Sequence, residues 1–407
     1  MKELKLGVIG LGGRGRGLLR TTLKCFPEVE VVALCDSYED RVEEAARMTV
    51  EARQTTPACY TDWRAFMADP QVGIVLIATS WEDHVLLAVE AMRAGKITAL
   101  EVGGAYCVED CWQLVRTWEE TRTPFFFLEN CCYGKRELLA TALVRDGTLG
   151  EVVYAHGAYC HDCRSQIAGG EAKRHYRLRN YLARNCDNYP THDLGPIAKI
   201  LNINRGNRML RLVSMASKSR GVAAYVKGKE EYASLWDKEF AQGDVVSTMI
   251  TCADGTLITL KLDTTLPRAY SREFMISATR GIFSEQDDVL LTEDMDLGRD
   301  VPMRQFRGNT AEFEHRLPKI WRDMNKALEE GMAGGHGGMD ELMLRSFFDA
   351  VQSGEEMPID VYDAASWMVI TCLSEQSIAN GGMPVDIPDF TCGSWQTRPP
   401  KDVTTFD

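Results

Sequence analysis

The feature that most constrains the fold is a glycine-rich turn between a short apolar run and an amphipathic segment. Residues 4–10 form the apolar run, residues 10–15 read GLGGRG, and leucines follow at positions 18, 19 and 23. This order predicts a buried strand, a tight turn and a helix. Glycine in the turn permits a positive φ and lets the backbone approach another group closely.

The alternation of strands and helices continues to about residue 145. Apolar strands are predicted at residues 28–35, 72–78, 97–102 and 124–128, and helices at residues 38–48, 61–68, 83–94, 108–121 and 137–145. Strands that alternate with helices join through right-handed crossovers into a parallel sheet with helices on both faces. We therefore predict an α/β protein whose N-terminal half is a doubly wound parallel sheet.

The pattern changes near residue 150, where fewer helices separate the strands. Strands are predicted at residues 152–159, 210–216, 245–252, 256–262 and 273–278, a helix at residues 338–351, and a surface tail after residue 384. This pattern favours an α+β domain with a mostly antiparallel sheet. We predict two domains, residues 1–130 and residues 131–407.

Charge narrows the possible partners. The 407-residue chain carries a net charge of −13, which repels phosphate backbones and anionic membranes. We expect no nucleic-acid or membrane partner, and the first residues lack the layout of an export signal, which predicts a cytoplasmic location. A local basic group is either a solvated surface or a loop that faces a substrate. It comprises Lys173, Arg174, His175, Arg177, Arg179 and Arg184.

The 13 cysteines are expected to be reduced thiols in a chain of this kind. One group has the residue types of a zinc site: His156, Cys160, His161, Cys163 and Cys186. A second Cys-x-x-Cys pair at zinc-finger spacing is missing. A strand through residues 151–160 would also point alternate side chains to opposite faces. We therefore predict no bound metal.

The glycine-rich turn and a later acidic residue together predict a dinucleotide site. In such a turn the first glycine permits the sharp bend, the second lets a pyrophosphate approach, and the third lets the helix pack on the strand. The residues predicted to hold the cofactor here are Gly10, Gly12, Gly13, Arg14 and Gly15. Asp36 closes the second strand, where a carboxylate binds both ribose hydroxyls and repels a 2′-phosphate. We therefore predict a Rossmann domain that prefers NAD to NADP.

Other segments resemble the Gfo/Idh/MocA family. Residues 80–84 (SWEDH) follow one strand end, and the next strand ends at Glu101. Dehydrogenases of that family carry a glutamate-lysine-proline motif here, with a catalytic lysine. This chain has Val102 in place of the lysine. The difference resembles the branch called glycoside hydrolase family 109, whose members are NAD-dependent α-N-acetylgalactosaminidases.

Longer strings also resemble this branch, over residues 4–350. They read LENCCYG at 128–134, YPTHDLGP at 189–196, LNINRG at 201–206, PRAYSR at 267–272 and GHGGMD at 335–340. The chain departs from the branch at Asp193, where glycine is usual, and at the cysteines of residues 156–164. These departures leave the choice of sugar open.

The resemblance implies further residues of the site. Implied to bind the cofactor are Ser80, Trp81, His84, Glu101 and Asn130. The residues implied to be catalytic are His192, Tyr189, Tyr133, Tyr270 and Glu101. Those implied to contact the substrate are Arg177, His336 and Tyr189. Tyr189 and His192 are three residues apart, so they share one face if they open a helix that ends near Leu201. Which residue is the base, and which assists the leaving group, stays open.

The implied reaction begins with transient oxidation at carbon 3 of a sugar. The ketone acidifies the proton on carbon 2, the group on carbon 1 is eliminated, water adds, and the hydride returns. We predict an NAD-dependent glycosidase for α-N-acetylgalactosaminides or related hexosides, forming a dimer or tetramer through its C-terminal sheet. One alternative is a sugar oxidoreductase that yields a 3-keto sugar, and another is a non-catalytic NAD(H)-dependent sensor.

Overall fold

A computed structural model of the chain describes residues 3–330 and 334–406. The strands are β1 (Leu4–Ile9), β2 (Val29–Cys35), β3 (Ala58–Tyr60), β4 (Ile74–Ile77), β5 (Ile97–Glu101), β6 (Phe125–Leu128), β7 (Val152–Cys160), β8 (Met209–Ala216), β9 (Val245–Cys252), β10 (Leu257–Asp263), β11 (Met275–Ala278), β12 (Gly281–Ser284), β13 (Val289–Thr292) and β14 (Val385–Asp386). The helices are α1 (Gly13–Cys25), α2 (Glu39–Arg53), α3 (Trp63–Ala68), α4 (Trp81–Arg93), α5 (Val108–Thr121), α6 (Lys135–Arg145), α7 (Arg164–Gly169), α8 (Arg177–Ala183), α9 (Thr191–Ile200), α10 (Gly221–Val226), α11 (Lys319–Glu329), α12 (Met339–Ser353) and α13 (Val361–Ala379).

The first sheet has six strands in the order β3-β2-β1-β4-β5-β6, and its neighbouring strands are parallel. β4 and β6 are buried along their whole length because helices cover both faces of the sheet. The carboxyl ends of the strands therefore open at one edge, with the change of strand order between β1 and β4. The predicted doubly wound sheet is confirmed.

The glycine turn joins β1 to α1 at this edge. Gly10 has a φ of 89°, which residues with a Cβ rarely adopt. A Cβ on Gly15 would overlap the carbonyl oxygen of Gly10, so α1 can approach β1 this closely only with glycine there. The N-terminus of α1 and its free backbone N–H groups consequently lie at the carboxyl edge of the sheet.

The second sheet has eight strands in the order β13-β12-β11-β7-β10-β9-β8-β14. Its pairs are antiparallel except for β7 with β10. Side chains of β9 alternate between buried and outward-facing positions, so one face of the sheet packs on the protein and the other is open. The predicted α+β half with a mostly antiparallel sheet is confirmed, and β12, β13 and β14 are additions that the sequence pattern did not reveal.

Two C-terminal helices return to the first sheet. α13 contacts α5, β6 and β8, and α12 contacts α1 and β6. The domain boundary at residue 130 therefore stays a prediction, because the chain beyond it supports both sheets. Among the described helices, none has both the length and the apolar character that crossing a bilayer requires.

Candidate active site

A cleft of about 940 Å³ runs along the carboxyl edge of the first sheet, and the second half of the chain forms its opposite wall. Most of the residues predicted for the site line this cleft. They are Gly10, Gly12, Gly13, Arg14, Asp36, Ser80, His84, Glu101, Asn130, Arg177, Tyr189, His192 and His336. The structure thus brings together segments that are distant in the sequence.

One end of the cleft is shaped for a dinucleotide. The Asp36 carboxylate is buried at the end of β2, where it accepts hydrogen bonds from the backbone N–H of Leu11 at 2.7 Å and of Tyr38 at 3.0 Å. These bonds fix the carboxylate beside the glycine turn. The open side of the turn leaves room for a ligand, since a Cβ on Gly13 would meet no atom within 4 Å. The residues present therefore fit NAD.

The loop after β4 forms a second wall of this end. His84 is buried, its Nε2 lies 3.3 Å from the carbonyl oxygen of Thr79, and burial lowers its pKa to about 4. The ring is therefore neutral at physiological pH. Ser80 donates a hydrogen bond from Oγ to Asp83 at 2.6 Å. Both side chains are engaged within the loop, so they shape the wall of the cleft.

Farther along the cleft, Arg14 joins the glycine turn to the GHGGMD segment. Its Nε donates to Glu101 at 2.6 Å and its Nη1 to Asp340 at 2.8 Å. Asp340 also contacts His336 Nδ1 at 2.7 Å and accepts a hydrogen bond from Asn130 at 2.8 Å. Burial raises the pKa of Glu101, although Arg14 opposes this effect. This network fixes Glu101 and Asn130 at the ends of β5 and β6.

The most distinctive chemical group in the cleft is a hydrogen-bonded chain of Glu129, His192 and Tyr189. Glu129 is 0% exposed, and its Oε1 lies 2.7 Å from His192 Nδ1. Burial alone would raise the pKa of Glu129, but His192 and the backbone N–H of Cys131 hold it below its ordinary value. Because an ionised carboxylate only accepts hydrogen bonds, Nδ1 must carry the hydrogen.

With the hydrogen on Nδ1, the other ring nitrogen of His192, Nε2, can accept a hydrogen bond or a proton. His192 Nε2 lies 3.4 Å from Tyr189 Oη, so the phenol can donate toward it. Burial raises the pKa of Tyr189 well above its ordinary value, which keeps the phenol protonated. His192 lies in the first turn of α9, and Tyr189 directly precedes the N-cap of that helix. The arrangement can accept a proton at Nε2 and stabilise the resulting imidazolium through Glu129.

Trp81 packs against Tyr189 of the Glu129–His192–Tyr189 group but does not line the cleft. Its ring stacks on Tyr189 at a centroid distance of 5.4 Å and lies 5.3 Å from the guanidinium of Arg177. A Cβ on Gly103 would overlap the Trp81 ring, so the loop after β5 also packs against it. The Trp81 ring is buried beneath the residues that line the cleft, and its assignment to the cofactor site stays a prediction.

Arg177 is a buried cation that faces the cleft. It is 6% exposed and lies between the rings of Trp81 and Tyr189, at 5.3 and 5.2 Å from their centroids. Within the described ranges it forms no ion pair with a carboxylate, and its Nε has no hydrogen-bond partner. A buried guanidinium without a carboxylate partner is costly, so the site is suited to a polar oxygen of a ligand.

The sequence did not assign to the site Tyr159 and His161, which line the cleft, or Glu129, which is buried behind His192. Tyr159 Oη lies 3.2 Å from His161 Nδ1, and its ring lies 4.6 Å from that of Tyr189. Both residues come from the carboxyl end of β7, which meets the cleft. The signal for Glu129 was its place in the LENCCYG string, directly after β6.

Besides Trp81, three predicted residues lie outside the cleft lining. Tyr133 is fully buried behind it, with its carbonyl oxygen accepting a hydrogen bond from Trp321, and its catalytic assignment stays a prediction. Gly15 packs on Gly10 and supports the turn without facing the cleft. Tyr270 is 48% exposed and lies edge-on to His161 at 5.3 Å, so it stands at the mouth of the cleft.

The zinc-type residues of the sequence do not converge. His156 contacts Thr259 at 2.8 Å, and Cys163 accepts a hydrogen bond from Arg177. In the described part of the chain, the one group of three possible metal ligands is Glu129, Cys131 and His192. Burial raises the pKa of the Cys131 thiol, which disfavours the thiolate that binds metals. All 13 cysteines lie in the described ranges and carry free thiols.

Two family models match the chain. Residues 4–127 match the NAD-binding Rossmann fold of the Gfo/Idh/MocA oxidoreductase family, and residues 133–397 match the C-terminal domain of glycosyl hydrolase 109. The chain is 36% identical to an α-N-acetylgalactosaminidase of Tannerella forsythia, over 98% of this chain and 88% of that protein. It is also 36% identical to a glycosyl hydrolase family 109 protein of Solibacter usitatus, over 98% and 90% of the two chains.

Solved structures with the same fold include sugar and inositol dehydrogenases. Levoglucosan dehydrogenase in complex with NADH and levoglucosan aligns with a TM-score of 0.69 at 20% identity, over 95% of this chain and all of that one. Myo-inositol 2-dehydrogenase from Lactobacillus plantarum aligns with a TM-score of 0.64 at 17% identity, over the same shares. At these identities the likeness establishes the fold alone.

Proposed function

The chain belongs to the glycosyl hydrolase 109 family, and on this premise we propose that it is an NAD-dependent glycosidase for α-N-acetylgalactosaminides or related hexosides. The observation that carries the proposal is the Glu129–His192–Tyr189 chain, in which His192 and Tyr189 line the same cleft as the glycine turn and Asp36. Proton carriers therefore lie beside the place where a nicotinamide cofactor fits. Glycosidases of the usual kind instead flank the bond with two carboxylates.

His192, Glu129 and Tyr189 have different roles in the proton transfers of the proposed reaction. When bound, NAD supplies reversible hydride transfer at carbon 3 of the sugar. His192 Nε2 accepts a proton from the sugar, and the Glu129 carboxylate stabilises the positive ring that results. Tyr189 keeps its phenolic proton and donates a hydrogen bond to the sugar oxygen that gains negative charge. Glu129 and Tyr189 are buried and the His192 side chain is only 14% exposed, which limits the competition of water for these hydrogen bonds.

Arg177 would hold the substrate in this arrangement. Its guanidinium is fixed between two aromatic rings, and it can donate to a sugar hydroxyl or to the carbonyl of an N-acetyl group. Val102 replaces the lysine that dehydrogenases of the wider family use, and its side chain is buried at the cleft wall. Without the amine of that lysine, the site is less suited to a dehydrogenase reaction whose final product is the ketone.

The open face of the second sheet supports a homo-oligomer. Exposed apolar side chains lie on two neighbouring strands of this face: Met215 on β8 and Met249 on β9. Apolar side chains exposed on an open sheet face commonly mark a protein interface. A dimer or tetramer formed through this face, and a cytoplasmic location, belong to the proposal, as does the division into domains at residue 130.

The decisive experiment combines a panel of aryl glycosides with deuterium oxide. We expect release of the aglycone, deuterium at carbon 2 of the sugar product, and no lasting NADH absorbance. Stoichiometric NADH with a ketone product would identify the alternative sugar oxidoreductase. Aglycone release without deuterium exchange, and indifferent to removal of NAD, would contradict the proposed chemistry.

A further inference from the structure

Part of the second half of the chain lies across the cofactor end of the cleft. Arg174, which belongs to the basic group noted in the sequence, donates two hydrogen bonds from Nη1 to Asp40, at 2.7 and 2.9 Å. Its guanidinium carbon also lies 4.4 Å from the centroid of the Tyr38 ring. Arg41 donates to the carbonyl oxygen of Arg174 at 3.3 Å. We call these four residues, Arg174, Tyr38, Asp40 and Arg41, the clasp.

The segment that carries Arg174 is anchored more firmly at its other end. Asn180 is buried and accepts a hydrogen bond from the Tyr106 hydroxyl at 2.5 Å. Arg184 donates to Glu375 at 2.6 Å. By contrast, the side chains of Arg174 and Asp40 in the clasp are 42% and 66% exposed. The clasp can therefore open while the base of the segment stays in place.

The backbone of the clasp is also held in an uncommon conformation. Arg174 has a φ of 51°, in the left-handed region that residues other than glycine seldom adopt. Such a conformation persists where surrounding contacts impose it. Here the backbone N–H of His175 donates to the carbonyl oxygen of Gly170 at 2.8 Å, and Arg174 itself contacts Asp40, Tyr38 and Arg41 of the first half of the chain.

The clasp covers a defined part of the cleft. Tyr38, Arg41 and Arg174 line the cleft together with Asp36, which marks the position of the adenosine ribose. The Tyr38 ring lies close to two guanidinium groups, since Arg41 is 4.8 Å from its centroid. A dinucleotide that extends from Asp36 toward Asn130 consequently has its adenosine half beside Arg174.

We propose that Arg174 is a cofactor-retention residue, which closes the clasp over the adenosine half of the bound dinucleotide and slows its release. The inference rests on the proposed function in one respect: an enzyme that regenerates its cofactor in every turnover has no need to exchange it. A conventional dehydrogenase must instead release the cofactor in each cycle. The clasp is thus suited to a redox-neutral reaction.

The test measures release of NADH from the enzyme in the absence of any sugar. Enzyme loaded with NADH is mixed with excess NAD⁺, and the loss of bound-state fluorescence gives the dissociation rate. We expect Arg174→Ala to accelerate release about five- to tenfold, because one ion pair and one cation–π contact are lost. Asp40→Asn should accelerate it less, and the double variant should be no faster than Arg174→Ala.

A matched control lies on α5, away from the cleft. Arg116 has a carboxylate partner, Glu109, at 2.6 Å and an aromatic ring, Trp112, at 5.7 Å. Arg116→Ala should leave NADH release unchanged. The proposal is overturned if Arg174→Ala releases NADH within about twofold of the unaltered enzyme, or if Arg116→Ala accelerates release equally. Because no sugar is present, failure of the clasp and failure of the glycosidase proposal are separate results.

Discussion

The two ends of the cleft are built in different ways. At the cofactor end, the glycine turn follows directly on β1, and Asp36 is fixed by backbone N–H groups of Leu11 and Tyr38. At the sugar end, Glu129 and His192 meet across 63 positions of the chain. Local backbone geometry thus creates the first end, whereas contacts between distant side chains create the second. Substitutions should therefore affect binding of the cofactor and turnover separately.

His192→Ala should have the largest effect on kcat, and it should show most clearly that turnover and cofactor binding depend on different ends of the cleft. Loss of the imidazole removes the proton acceptor, and we expect kcat to fall about 10³-fold, within the range for general acid–base groups. NADH affinity, measured by fluorescence titration, should stay unchanged because Asp36 and the glycine turn are untouched. Normal hydrolysis by this variant would show that His192 is not the proton carrier, and loss of NADH would show that the ends are not independent.

Glu129→Gln tests whether the sugar end depends on a charge or only on a hydrogen bond. The pKa of Glu129 lies below its ordinary value, so the side chain is ionised at neutral pH, and glutamine removes that charge at nearly constant volume. We expect kcat to fall about 10²-fold with little change in KM, since the imidazolium loses its counter-ion. An unchanged kcat in a variant with unaltered thermal unfolding would reduce Glu129 to a packing residue.

Asp36→Asn should weaken binding at the cofactor end of the cleft and leave turnover at the sugar end unchanged. The amide can neither accept as strongly from ribose hydroxyls nor repel a 2′-phosphate, so NADH should bind about tenfold more weakly. The preference for NADH over NADPH should shrink at the same time. Titrations with both cofactors measure this, and kcat at saturating NAD serves as the control. A large fall in kcat would mean that Asp36 also governs the sugar end.

The same contrast explains what the sequence could predict of the fold. β1, its turn and α1 were predictable because apolar runs, glycines and leucine spacing all lie within about 20 residues. α13 was not, because it is buried on nearly every side and carries no apolar stripe with a helical period. β3 was missed because only three residues pair and two of them are exposed.

In the site, the sequence indicated which segments meet but not which side chain points inward. Asn130 and Tyr133 belong to one short helical turn, and both face α12. Asn130 donates to Asp340 at the first turn of α12, beside the cleft. Tyr133 lies farther along α12, in the core. The direction of each side chain depends on tertiary packing, and a shared sequence motif does not specify that direction.

Tyr133→Phe should therefore have the smallest effect of all, although family resemblance implied a catalytic tyrosine here. The ring is 0% exposed and lies outside the cleft, so we expect kcat within about twofold of the unaltered enzyme. Tyr133→Ala should instead destabilise the protein by about 3–5 kcal/mol, because it leaves a cavity in the core. Thermal unfolding of both variants, read beside kcat, separates packing from chemistry. If Tyr133→Phe lost turnover as His192→Ala does, the phenol would belong to the reaction, and the sugar end would extend behind the cleft wall.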